Sequence, residues 1–149
     1  MEEFQKRIPA KLANSDDAIV ITDPEGHTLW VNGAFTRLCG YEVSELKGRK
    51  PGSLLQGGET NGEVVETMRH AIRAGIGCVV DLVNYRKNGE PYTVHIQIKP
   101  VRRANGNITY FAAVEREFTP EEIGSVGHET IELALHGILE ELIHSLEAE

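Results

Sequence analysis

The sequence has no excess of positive charge: 15 Lys and Arg residues stand against 23 Asp and Glu, for a formal net charge of −8. A nucleic-acid binder needs a clustered basic surface, so that class is excluded. Cysteine is scarce. Cys39 and Cys78 are far apart in apolar surroundings, with no CxxC pair or metal-ligand spacing. They read as buried reduced thiols, and neither a disulfide framework nor a metal site is expected. No apolar run approaches the ~20 residues of a membrane span. The opening MEEFQKRIPAKL mixes charges and carries no signal-peptide pattern, so the cytoplasm is the expected location. GxSxG, P-loop, HExxH and paired catalytic carboxylates are all missing, so no enzyme activity and no catalytic residue is assigned.

What is present fits one domain with an extra terminal element in 149 residues. AIVIT (18–22) and TLWVN (28–32) are strand runs around the turn DPEG, where Gly26 is placed for positive φ. Asn32 can cap a short helix through AFTRL. SELKG starts on a capping serine and stops at Gly48, and GRKPGSLLQGGETN is too rich in Gly and Pro for regular structure. Thr60, with Glu63 three residues on, opens a helix to about Ala74 whose apolar face is Val64, Val65, Met68, Ala71 and Ile72.

CVVDLVNYR, PYTVHIQIKPV and ITYFAAVEREF follow as strands, joined by turns at Asn88-Gly89 and Asn105-Gly106. Alternation puts Tyr92, Val94, Ile96 and Ile98 on one face and Thr93, His95, Gln97 and Lys99 on the other, which reads as the wet face. The class is α+β: a five-stranded antiparallel sheet with short helices and one longer helix on one face. From about Pro120 to Glu149 the pattern is an amphipathic helix with Ile131, Leu135, Ile138, Leu139, Leu142, Ile143 and Leu146 in its stripe. Such a stripe must be covered by the sheet or by a second copy, and a homodimer through this helix is expected. The domain limits read as a lead-in over 1–14, a compact domain over 15–119 and an amphipathic dimerisation helix over 120–149.

Residues 15 to 119 resemble a PAS domain, and within that superfamily the flavin-binding LOV-like branch. The resemblance rests on ITDPEG, VNGAF, LCGYEVSELKGR, LLQGGET, MRHAIRAG, VNYRKNGEPY, IKPVRRANGNITYF and VEREFTPEE, which stand in that order. It implies a cavity between sheet and helices that holds FAD or FMN. It also implies a loop cysteine that bonds to the flavin under light, yet Pro51 and Gly52 occupy the candidate positions here, so no such adduct is expected.

Of the ring-contacting positions of that branch, Gln56 and Asn84 keep an amide, while Lys50, Val94 and Glu115 stand where amides are usual. Arg69 matches a phosphate-holding arginine, but the second such arginine is replaced by Gly52 or Ser53. One arginine grips a phosphate less well than a pair, which favours FAD or no flavin. Two readings stay open for several positions. Gln56 and Asn84 contact a ligand or bond to their own backbone, Glu115 faces the pocket or solvent, and Trp30 lines the pocket or packs in the core. His70 falls toward the polar edge of the long helix, so haem is not expected. His128, His136 and His144 recur every eight residues and do not form a metal face.

The function expected is a sensory module that binds a flavin and passes a redox or light signal to its C-terminal helix. The alternatives are a cofactor-free interaction and dimerisation module, or a PAS sensor of a small metabolite. Any effector is a separate protein or a region outside this sequence.

Overall fold

The computed structural model describes residues 2–119, 121 and 128–147. Strands β1 (Ala18–Thr22), β2 (Thr28–Val31), β3 (Cys78–Tyr85), β4 (Pro91–Arg102) and β5 (Ile108–Glu117) form one antiparallel sheet in the order β2-β1-β5-β4-β3. Its turns are built by side chains that bond to their own backbone. Asp23 Oδ1 accepts from Glu25 N and His27 N at 2.9 Å, and Asn88 and Asn105 accept from the amides two residues on. Gly26 takes φ 97°, the left-handed value expected of it.

Helices α1 (Glu2–Arg7) and α2 (Ala10–Ala13) precede the sheet. Between β2 and β3 come α3 (Gly33–Cys39), α4 (Val43–Leu46), α5 (Gly52–Leu55) and α6 (Gly62–Ala74), and α7 (His128–Glu147) follows β5. Asn32 caps α3 as expected: its Oδ1 accepts from Phe35 N at 3.0 Å and from Ile19 N at 2.9 Å. Two caps differ from expectation. Glu42 rather than Ser44 opens α4, its amide donating to Glu45 Oε1 at 3.0 Å. Asn61 rather than Thr60 opens α6, because the Thr60 hydroxyl already donates to the Val83 carbonyl at 2.7 Å. The loop read as irregular contains one helical turn, α5, which Pro51 starts with its ring-fixed φ of −53°.

The sheet is covered on both faces. On the inner face Val20, Leu82, Val94, Ile96, Phe111 and Ala113 pack with Phe35, Leu46 and Leu55 of the short helices. On the outer face Ile19, Ile21, Trp30, Val101, Ala112 and Val114 pack with Phe4, Ile8 and Leu12 and with Ile131, Leu135, Leu139, Leu142 and Leu146 of α7. The face read as wet is therefore largely dry, and His95 and Gln97 are buried there. The lead-in is part of the core, since Phe4, Ile8 and Leu12 recur every four residues and α1 and α2 lay them on the sheet.

Covering the α7 stripe with the chain's own sheet corrects the reason for expecting a homodimer through it: a second copy is not needed to hide these residues. Of the segment 120–149, residues 120, 122–127, 148 and 149 lie outside the described residues. Leu139 is 1% exposed, so Leu139→Ala should cost ~2–5 kcal/mol in urea unfolding, the range for buried leucine truncation. A loss below ~1 kcal/mol would mean that α7 leaves the sheet readily in solution. No helix among the described residues is long and apolar enough to cross a membrane.

Candidate functional site

Between the inner face of the sheet and α5–α6 lies a cavity of about 410 Å³, a size that suits a cofactor. Its walls are apolar: Val20, Leu82, Ile96, Ile98 and Phe111 from the strands, Met68 and Ile72 from α6. The polar lining comprises Thr22, Glu25 and Ser53 together with two further sets. Asn84, Gln56 and Glu115 line the interior, and Lys50, Arg69 and Arg73 bring positive charge to the same lining.

Local structure sets each of these. The loop after α5 is tied to β3, where Gly57 N donates to Thr60 Oγ1 at 2.9 Å and Glu59 N donates to Tyr85 Oη at 2.8 Å. A Cβ at Gly57 would overlap the Tyr85 ring, so the loop sits against β3 only because that residue is glycine. Gln56 is thereby held at the cavity, with its side chain folded back over Gly52. Arg69 and Arg73, four apart, share one face of α6. Arg69 is half exposed and ion-paired with Glu66, whereas Lys50 and Arg73 make no ion pair among the described residues.

Glu115 is the unusual group. It follows Phe111 and Ala113 along the inner face of the central strand β5, is 5% exposed, and its Oε1 is buried without a hydrogen-bond partner. Burial pushes its pKa up to about 8. The neighbouring Tyr92 is buried, and its pKa is raised by that burial and then by the Glu115 and Cys39 charges, against which a hydrogen bond with the Asn84 side chain acts. Burial likewise raises the Cys39 thiol. The bare Glu115 oxygen lies on the cavity lining, where leaving it unsatisfied costs ~1–3 kcal/mol.

Five of the residues expected at the site are thus brought together: Asn84, Gln56, Arg69, Glu115 and Lys50. Trp30 is a correction. It pairs with Ile21 across β1 and β2, and cross-strand partners share a face, so both point to the outer core and away from the cavity. Val94 is buried in the inner core but stands outside the cavity lining. Arg73 was not expected, although its spacing of four from Arg69 could have shown it. His70 is exposed and does not line the cavity, and no group of His, Cys, Asp and Glu among the described residues could hold a metal ion.

A family model described as a PAS domain matches residues 16–120. The chain belongs to the PAS domain family. Among relatives of this PAS domain, a blue-light-activated histidine kinase of Brucella anthropi is 35% identical over 98 residues, 66% of this chain and 20% of that protein. Blue-light-activated histidine kinase 1 of Erythrobacter litoralis is 37% identical over 105 residues, 68% of this chain and 29% of that protein. The chain therefore spans under a third of the curated relatives it matches.

Among solved structures, the dark-state LOV domain of the blue-light photoreceptor aureochrome 1 aligns with a TM-score of 0.66 at 30% identity, covering 76% of this chain and 85% of that one. Its light-state structure aligns at 0.68 and 27%, covering 83% and 99%. These neighbours place the PAS domain in the LOV-like branch. Within the branch it carries Pro51 and Gly52 in the loop before Gln56, and neither Cys39 nor Cys78 lines the cavity.

Proposed function

We propose that this PAS domain is a sensory signal-transduction module that holds FMN or FAD non-covalently and passes changes at that cofactor to α7. The observation that carries this is the polar head of an apolar cavity, where the buried and unpartnered Glu115 joins two amides. A bound isoalloxazine supplies visible absorption and electron chemistry. The chain's residues do the rest. The aliphatic walls take the ring faces and exclude water, and the amides of Asn84 and Gln56 can both donate to and accept from a ring edge of carbonyls and N–H. Glu115, protonated at neutral pH, donates one hydrogen bond there and can give up or retake that proton.

Three cations at the lining, set against the Glu25 carboxylate and the Glu66 partner of Arg69, leave a net positive charge that supports a terminal phosphate of the kind FMN carries. From Glu115 the path to α7 is short. The next residue along β5, Val114, is buried among the α7 contacts of the outer face, and its cross-strand partner Gln97 donates from Nε2 to the Glu132 carbonyl of α7 at 2.8 Å. We therefore read 15–119 as the sensing unit, 1–14 as a cap and 120–149 as the output segment, acting in the cytoplasm on an effector outside this sequence. The kinase names of the relatives support an output of that class. A cavity of about 410 Å³ speaks against a domain filled by its own side chains.

The absorption spectrum of the purified protein tests this reading. Structured flavin bands are expected, either as isolated or after incubation with FMN or FAD, and a preparation that stays colourless after both would sink it. Blue light should not produce the reversible bleaching of a cysteinyl adduct, and such bleaching would show that a thiol reaches the ring after all.

A further inference from the structure

Glu115 lines a second cavity besides the one that would hold the flavin. This one, about 360 Å³, opens to solvent between α3 and the ends of β1 and β5, with Asp16, Asp17, Arg37, Arg116 and Glu117 around it. The register explains why one residue reaches both. Ala18 and Glu115 are Cα partners on the inner face, and α3 crosses this end of the sheet with the small Ala34 turned toward it, leaving space that a larger side chain would fill. Arg116 and Asp17 are tied by two contacts of 2.7 and 2.8 Å, which hold β1 and β5 together at the rim without closing it.

We propose that this second cavity is a proton inlet, through which Glu115 exchanges its proton with bulk water while the flavin cavity stays dry. A buried carboxyl that must change its protonation needs a route to solvent. The route through the cofactor cavity would be blocked by a ligand that fills it. The inlet instead ends on charged groups at the solvent boundary: Asp17 and Glu117 are ion-paired with Arg116 and Arg86, and the exposed Asp16 stands beside them. The titratable groups packed against Glu115 itself are Cys39 of α3 and Tyr92 of β4, both held protonated near neutral pH, so neither competes for the proton. The transfer moves one proton between the Glu115 carboxyl oxygen and water, with no other bond changed.

This inference rests on Glu115 being the proton-holding group of the proposed site, and it is tested with FMN filling the cofactor cavity; a protein that takes up no FMN overturns that reading and the inlet with it. The carboxylic C=O stretch present in the wild type and missing in Glu115→Gln reports the protonated side chain, and its shift after transfer to heavy water reports exchange. Asp16→Trp, at an exposed position on the rim, should slow that exchange by about tenfold or more, because exchange must then wait for local opening. Removing FMN, which opens the other cavity, should bring exchange in Asp16→Trp back to within about twofold of the wild type. An FMN-loaded Asp16→Trp variant that exchanges as fast as the FMN-loaded wild type overturns the inlet. A wild type with no such band at neutral pH overturns the reading of Glu115 as a neutral acid, and the inlet with it. Circular dichroism of each variant confirms that it is folded.

Discussion

Raising the pH from about 5 to about 8 should destabilise the wild-type fold by roughly 4 kcal/mol, and Glu115→Gln should remove most of that loss. The buried carboxyl keeps its proton up to about pH 8, whereas a glutamate in an unfolded chain releases it near 4.5. Between those values the folded form holds one proton more than the unfolded form. Stability therefore falls by ~1.4 kcal/mol per pH unit, with the contribution complete below the unfolded value and lost as pH passes the folded one. Other shifted groups act outside this window. Asp23, Glu45 and Glu140 have lowered values and matter in acid, while Cys39 and Cys78 are raised from 9.0 and matter in base. Urea unfolding at pH 5, 7 and 9 reads the slope. A wild type whose stability is flat or rising across the window would show that Glu115 is ionised and well solvated.

Replacing Arg69 and Arg73 together by alanine should weaken FMN binding by about 100-fold and leave riboflavin binding within about threefold. Charge-assisted bonds to a phosphate are worth ~1.5–3 kcal/mol each, and ~3 kcal/mol for the pair allows for their exposure to solvent. Riboflavin has the same ring without the phosphate, so it isolates the mouth from the polar head. Asn84→Leu should do the converse and weaken both ligands alike. Calorimetric titration with the two flavins separates these outcomes. An equal loss for FMN and riboflavin in the double arginine variant would place the phosphate elsewhere.

Much of the strand order could be read from residues alone because its signals are local. The Asn-Gly turns at 88–89 and 105–106 set two hairpins, and the alternation through β4 set its faces. The burial of Glu115 was equally readable in principle, as it continues the Phe111, Ala113 series at a spacing of two. What could not be read was which face each short strand turns inward. Trp30 is flanked by Leu29 and Val31, so every neighbour is apolar and alternation carries no information. The dry outer face escaped for a different reason. It depends on Phe4, Ile8 and Leu12 meeting α7 across more than a hundred residues of chain, a contact that periodicity cannot express. Arg73 stands four residues after Arg69 on the same helix face, and that spacing alone brings both to the cavity lining.

The two terminal helices are also fastened to each other. Arg7 of α1 donates to the Leu146 carbonyl of α7 and to Tyr110 Oη of β5, and its guanidinium lies 5.5 Å from the Tyr110 ring centre. Phe4 meets the same ring edge-on at 5.3 Å. The fold thus works as a buckle with both straps under one tongue. Tension applied to either end loads the same joint, and peeling α7 from the sheet loosens α1 with it.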